Sequence, residues 1–195
     1  MIDEFLTIKS TAEGFYSEKR SRFLAFAHPV STVDEVKELV AHYRKKYFDA
    51  RHVCYAYMLG ADRKEFRAND DGEPSSTAGK PILGQINSKG LTDVLIVVVR
   101  YYGGVNLGTG GLIVAYREAS ADALAHAEII SKQVEELVEY NFPYVMMNGV
   151  MRVVKEMDAR IIEQRFDNAC WLQLSIRRSL AAELRERLGK LSFES

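Results

Sequence analysis

Hydrophobic and polar positions change period several times along this chain. Ser21 to Val30 puts Phe23, Ala25 and Ala27 on one face, the two-residue period of a strand. Thr32 and Glu35 then stand at capping-box spacing. Val33, Val36, Leu39, Val40, Tyr43 and Tyr47 follow at helical spacing, opposite Lys37, Glu38, Arg44 and Lys45, so an amphipathic helix of about four turns is predicted. His52 to Leu59 alternates as a strand, Gly60-Ala61-Asp62 is a turn, and Glu65 to Ala68 reads as the returning strand. Asn69 to Lys80 is polar and rich in turn residues, and Pro81 to Ser88 suits a short helix opened by proline. Val94 to Val99 is continuously apolar, as expected of a central strand covered on both faces. It runs through Arg100 into a glycine-rich loop ending at Gly111. A helix is predicted from Leu112 to Ala127, its buried stripe made of Ala115, Ala119 and Ala123 with Leu112 and Tyr116.

Beyond residue 131 the pattern is simpler. Val134 to Phe142 is a strand, Pro143 opens a helix through Met157, and Arg160 to Phe166 and Cys170 to Arg177 are strands around an Asp167-Asn168 turn. Leu180, Leu184 and Leu188 mark a helix stopping at Gly189, and Leu191 to Phe193 is expected as a last short strand. The order β-α-β-β-α-β is that of a ferredoxin-like unit. All but Gly149 and Gly189 of the 13 glycines lie before residue 131, which places the special loops in the first part. The expected division is therefore a first domain over 1–130 and a second over 131–195.

Composition narrows the class. With 47% hydrophobic and 27% charged residues, the 195-residue chain is ordinary for a globular protein, and the order of helices and strands above makes the expected fold class α+β. The longest aliphatic run, Val94 to Val99, is far short of the ~20 residues of a spanning helix. The acidic start Met1-Ile2-Asp3-Glu4 carries no apolar signal core. Cys54 and Cys170, the only cysteines, make no disulfide framework and suit a reducing cytoplasm. A net charge of −1 requires any nucleic-acid site to be a local patch.

Three constellations carry candidate chemistry. A strand leading through glycines into a helix is a geometry that binds anions through backbone amides. Here Arg100, Tyr101, Tyr102, Gly103, Gly104, Gly108, Thr109 and Gly110 form it. It fits neither nucleotide-loop pattern: Thr109 stands where a Walker loop needs lysine, and Ile113 where a dinucleotide loop needs a small residue. Asp70, Asp71 and Glu73, with three hydroxyls and Lys80, form a polar loop. It reads either as a solvated turn with carboxylates capping amides or as a site for Mg2+ and phosphate. His52 and Cys54 share a strand face, but a hydrogen-bonded histidine and a half-buried thiol explain them better than a nucleophile pair. No cofactor, no metal and no catalytic residue is expected.

Several segments match a known family. Ser21-Arg22-Phe23, Ala50 to Cys54, Asp70 to Pro74 with Thr77 to Pro81, and Val99 to Gly104 with Leu107 to Leu112 resemble the IMPACT family, bacterial YigZ type. The resemblance implies a first domain like the second domain of a small-subunit ribosomal protein and domain IV of elongation factor G. That fold is shared with GHMP small-molecule kinases. A ferredoxin-like domain follows. Eukaryotic relatives restrain a starvation-activated kinase of translation initiation with the help of an N-terminal RWD domain; with the first strand expected almost directly after Met1, that domain and that role are not expected here. The functional expectation is a translation-associated regulator that binds RNA or the ribosome, without a membrane partner. The alternative is a small-molecule phosphate enzyme, since Asn106 to Leu112 loosely echoes the kinase phosphate loop.

The binding surface expected from these readings joins His52, the Asp70–Lys80 loop and the Arg100–Gly111 loop. Arg100 and Lys80 would contact phosphate and Tyr101 or Tyr102 would stack. Asp70, Asp71 and Glu73 fit less well, unless they brace the loops by pairing with Arg100 or Lys80.

Overall fold

The computed structural model describes residues 1–191. They form two compact units: Phe5–Lys132, and Gln133 onward together with Met1–Glu4. The first four residues therefore belong with the second unit and not, as the 1–130 division had it, with the first. Asp3 accounts for this. Its carboxylate accepts the amide of Ser179 at 3.0 Å and a hydrogen bond from Arg177, and its carbonyl accepts the Val134 amide at 2.7 Å.

The first unit is built on a five-stranded antiparallel sheet of order β2-β3-β6-β4-β5. Its strands are β2 (Ala12–Glu18), β3 (Ser21–Pro29), β4 (His52–Leu59), β5 (Glu65–Asn69) and β6 (Val94–Tyr101). Two further strands, β1 (Glu4–Ile8) and β7 (Ile129–Gln133), pair with each other. Strand β6 is central because every residue from Val94 to Val99 is fully buried, and an aliphatic run of this kind is stable only between two apolar layers. One face packs on α2 (Gly79–Ser88) and α3 (Gly108–Ala125), through Phe23, Cys54, Ile96 and Val98 against Ile82, Ile86, Ala115 and Tyr116. The other packs on α1 (Val33–Lys46), through Phe26, Val53, Leu95, Val97 and Val99 against Val36, Val40 and Tyr43.

Several elements differ from expectation. The α1 cap uses the Thr32 hydroxyl, which accepts the Glu35 amide at 3.2 Å, but the Glu35 carboxylate turns to the amide and hydroxyl of Ser31. Helix α3 starts at Gly108, four residues early, so Gly108 to Gly111 at the end of the glycine loop form its first turn. Its small stripe lets β2 approach: a methyl on Gly14 would sit 2.2 Å from the Ala123 amide nitrogen.

The second unit has a three-stranded antiparallel sheet of order β8-β10-β9, from β8 (Glu135–Phe142), β9 (Arg160–Phe166) and β10 (Cys170–Arg177). Pro143 precedes a 3-10 turn at Tyr144–Met146, and α4 begins only at Met147, running to Glu156. Helix α5 (Ala181–Leu191) continues through Gly189, where a stop was expected. Both helices pack on one sheet face, Val150, Val153, Leu184 and Leu188 against Val138, Leu172 and Leu174. The expected last strand at Leu191 to Phe193 is corrected at Leu191, which is helical, and otherwise lies outside the described residues.

Candidate functional site

Strands β4 and β6 are neighbours in register, with His52 opposite Arg100. Both side chains lie on the α3 face, where the polar loop after β5 folds back over them. The loop turns on Asp70. Its Oδ2 accepts the Ser76 amide at 2.9 Å, and its Oδ1 accepts the amides of Ala78 at 3.2 Å and Gly79 at 2.8 Å. Asp71 accepts the Val53 amide through Oδ2 at 2.7 Å and the His52 Nδ1–H through its carbonyl, also at 2.7 Å. These carboxylates do the work of an N-cap and a turn brace, the arrangement of the solvated-turn reading. Among the described residues no three His, Cys, Asp or Glu side chains are grouped to hold a metal ion.

This bracing drops Glu73 into the interior, 7% exposed. Arg100 Nη1 donates to both Glu73 carboxylate oxygens at 2.8 Å, and the Tyr116 hydroxyl donates to Oε2 at 2.7 Å. His52 Nε2 lies 3.0 Å from Oε1. With Nδ1–H donating to the Asp71 carbonyl, the other imidazole nitrogen is turned to the Glu73 carboxylate. The Arg100 guanidinium sits 5.5 Å from the ring centres of both Phe23 and Tyr102. A buried arginine needs such a partner set, since an unpaired buried charge costs several kcal/mol.

Cys54 is fully buried beside this cluster. Its thiol lies 3.1 Å from the Asp70 carbonyl and 3.4 Å from the Tyr116 hydroxyl, with one S–H to donate between them, and burial pushes its pKa well above that of a free thiol. Burial also raises the Tyr116 phenol, with Cys54 and Glu73 adding to the effect. Neither group ionises near neutral pH.

Above the cluster opens a cavity of about 330 Å3. His52, Glu73, Pro74 and Arg100 form one side; Tyr102, Asn106, Leu107, Gly108, Thr109 and Leu112 form the other, with Arg51 at its edge. The Arg51 guanidinium lies over the Tyr102 ring at 5.0 Å, and the Tyr102 hydroxyl donates to Asn106 at 3.1 Å. No side chain caps the amino end of α3. The φ of +75° at Gly108 is a left-handed conformation that favours glycine at this turn. Gly103 is required for a different reason: a methyl there would lie 2.2 Å from the Arg20 carbonyl carbon.

The structure thus brings together His52, Glu73, Arg100, Tyr102, Gly108 and Thr109 from the expected set. It does not bring Tyr101, whose hydroxyl donates to Asp49 at 2.8 Å on the α1 face with Arg22 over its ring. Tyr101 and Tyr102 are consecutive at a strand end, and the strand period sends them apart. Lys80 is exposed on α2 and lines no part of the cavity, and neither do Gly103, Gly104 and Gly110. Arg51 and Tyr116 were not among the expected site residues. Arg51 was legible as the neighbour of His52 in a matched segment, whereas Tyr116 looked like core, which it also is.

Residues 19–124 match the Impact N-terminal domain. The chain is 34% identical to the IMPACT family member YigZ of Escherichia coli, over 89% of its own length and 86% of the relative's. The chain belongs to the IMPACT family. Another member, YvyE of Bacillus subtilis, is 33% identical over 80% of the chain and 72% of its own length. A crystal structure of a hypothetical protein superimposes with a TM-score of 0.78 at 31% identity, covering all of this chain and 96% of that one. The family match covers the whole of the cavity, since every residue lining it lies between Arg51 and Leu112. No helix among the described residues is long and apolar enough to cross a membrane.

Proposed function

We propose that this IMPACT family member is a cytoplasmic, translation-associated RNA-binding protein whose first unit seats one nucleotide in the cavity. The observation that carries this reading is the uncapped amino end of α3 meeting Arg51, stacked on Tyr102, in one cavity of about 330 Å3. Free amides at a helix start attract a phosphate. An arginine at the rim adds a charge-assisted contact, and a tyrosine ring offers a base a face to stack on. With a net charge of −1, RNA is drawn by this local patch and not by a global field. We also read the first unit as the ribosomal-protein and elongation-factor type of domain and the second as ferredoxin-like, in keeping with that role.

The test is RNA binding by the full chain across a salt series. Arg51→Ala should weaken binding and lower the salt slope by about one, while Lys80→Ala, outside the cavity, should leave the slope unchanged. Binding by Arg51→Ala equal to the parent at every salt concentration would remove the proposed site. A second reading, a small phosphorylated ligand, is favoured by the cavity volume, which is that of a small-molecule site. A rise in the unfolding midpoint with Mg-ATP, without RNA binding, would select it.

A further inference from the structure

The α1 face of the first unit carries a second opening. Helix α1 covers β6 and β4 but not the end of the sheet, where β5 is the edge strand. Between them lies a groove of about 350 Å3 whose floor is Val36, Val40 and Tyr57. Lys37, Arg44 and Arg67 stand around it. Arg44 is 3.5 Å from Asp71, both half-exposed, whereas Lys37 and Arg67 make no ion pair among the described residues. Tyr57 is only 7% exposed, and its hydroxyl has no hydrogen-bond partner among the described residues. The hydroxyl is not sealed in the interior and is open to solvent at the groove.

We infer that this groove docks an extended acidic peptide segment of a partner protein through one large apolar side chain. Three features select that occupant. The floor accepts an apolar anchor, and burying one supplies most of the attraction. The cations require negative flanks, and two of the three have no ion-pair partner among the described residues to compete with. The free edge of β5, exposed from Glu65 to Ala68, presents backbone groups to which an extended segment adds as another strand. The groove is on the opposite sheet face from the cavity holding Arg100, so the inference is independent of the RNA reading.

The experiment is a titration of the isotope-labelled full chain with a short peptide carrying Leu-Phe between Glu-Asp pairs. Its counterparts replace the acidic residues by lysine or glutamine. Amide shifts should centre on Val36, Tyr57 and Arg67 with the acidic peptide alone. Arg67→Glu should weaken binding at least about tenfold. Ala41→Trp, which fills the groove from an exposed helix position, should abolish it while the spectrum stays that of a folded protein. Equal binding of the lysine or glutamine peptide, shifts centred elsewhere, or no shifts at about 1 mM peptide would each overturn the inference. So would concentration-dependent self-association that places a second copy in the groove.

Discussion

Arg100 and Glu73 form a buried ion pair, with Nη1 2.8 Å from both carboxylate oxygens and the two side chains 6% and 3% exposed. The pair spends inside the protein the charge that the sequence offers to a ligand. Removing either partner leaves the other charge buried and unpaired, so the two losses should overlap. We predict that Glu73→Ala and Arg100→Ala each cost about 3–5 kcal/mol, and that the double variant costs clearly less than their sum. Urea unfolding of the four proteins measures this coupling. Additive losses would mean the pair holds nothing together.

The same pair makes Arg100→Ala a poor probe of binding, because lost affinity would be confounded with a damaged core. Arg51 is the cleaner probe: it lies at the cavity edge and contacts the Tyr102 ring.

Glycine at position 103 is a packing requirement. A methyl would meet the Arg20 and Ser21 backbone at 2.2 and 2.5 Å. Gly103→Ala should lower stability by about 1–3 kcal/mol or more, as overpacking does. Gly84→Ala, in α2 with nothing within 4 Å of the added methyl, should be neutral or stabilising by up to about 1 kcal/mol. Thermal unfolding of the two variants reports the contrast.

Cys54 and Cys170 are free and buried. With burial holding the Cys54 thiol protonated, thiol reagents should label the native protein slowly and the urea-unfolded protein fast. Rapid labelling of Cys54 in the native state at neutral pH would contradict its placement under the Asp70 carbonyl.

His28 should give stability a pH dependence. Its Nε2 lies 2.5 Å from the Tyr43 hydroxyl, and burial followed by the charge of His42 lowers its pKa below 6.5, Glu13 opposing. Folding then favours the neutral ring. Its contribution is complete above about pH 6.5 and is lost as pH falls through that value toward the folded-state pKa. His28→Gln should flatten the decline in the denaturation midpoint between about pH 7.5 and 5.5. An unchanged decline would assign it to other groups.

Most of the central sheet was legible from the sequence because burial on both faces leaves apolar runs at Val94 to Val99 and Val53 to Leu59, and β3 carries Phe23, Ala25 and Ala27 at strand period. Strands β1, β2 and β7 were not: β1 and β7 have five residues each, β7 is largely exposed, and β2 has only Ala12 buried and carries Gly14, placed there by contact with α3 and invisible locally. The α3 start was misplaced because Gly108, Gly110 and Gly111 are poor helix formers that tertiary packing overrides. At the site, the motifs named the right loops but not the direction of each side chain. Tyr101 was excludable by strand period alone. The inward turn of Glu73 was not, since it depends on Asp70 and Asp71 binding amides many residues away.

The central claim is that RNA meets this chain at the Tyr102 cavity. Ultraviolet cross-linking of the full chain to a short single-stranded RNA, followed by mass spectrometry of the modified peptide, tests it most directly. Cross-links are expected at Tyr102 or its neighbours between Arg100 and Thr109, and should be lost in Tyr102→Ala. Cross-links confined to other aromatic residues, such as Trp171 or Tyr144 in the second unit, with Tyr102→Ala unchanged, would contradict it.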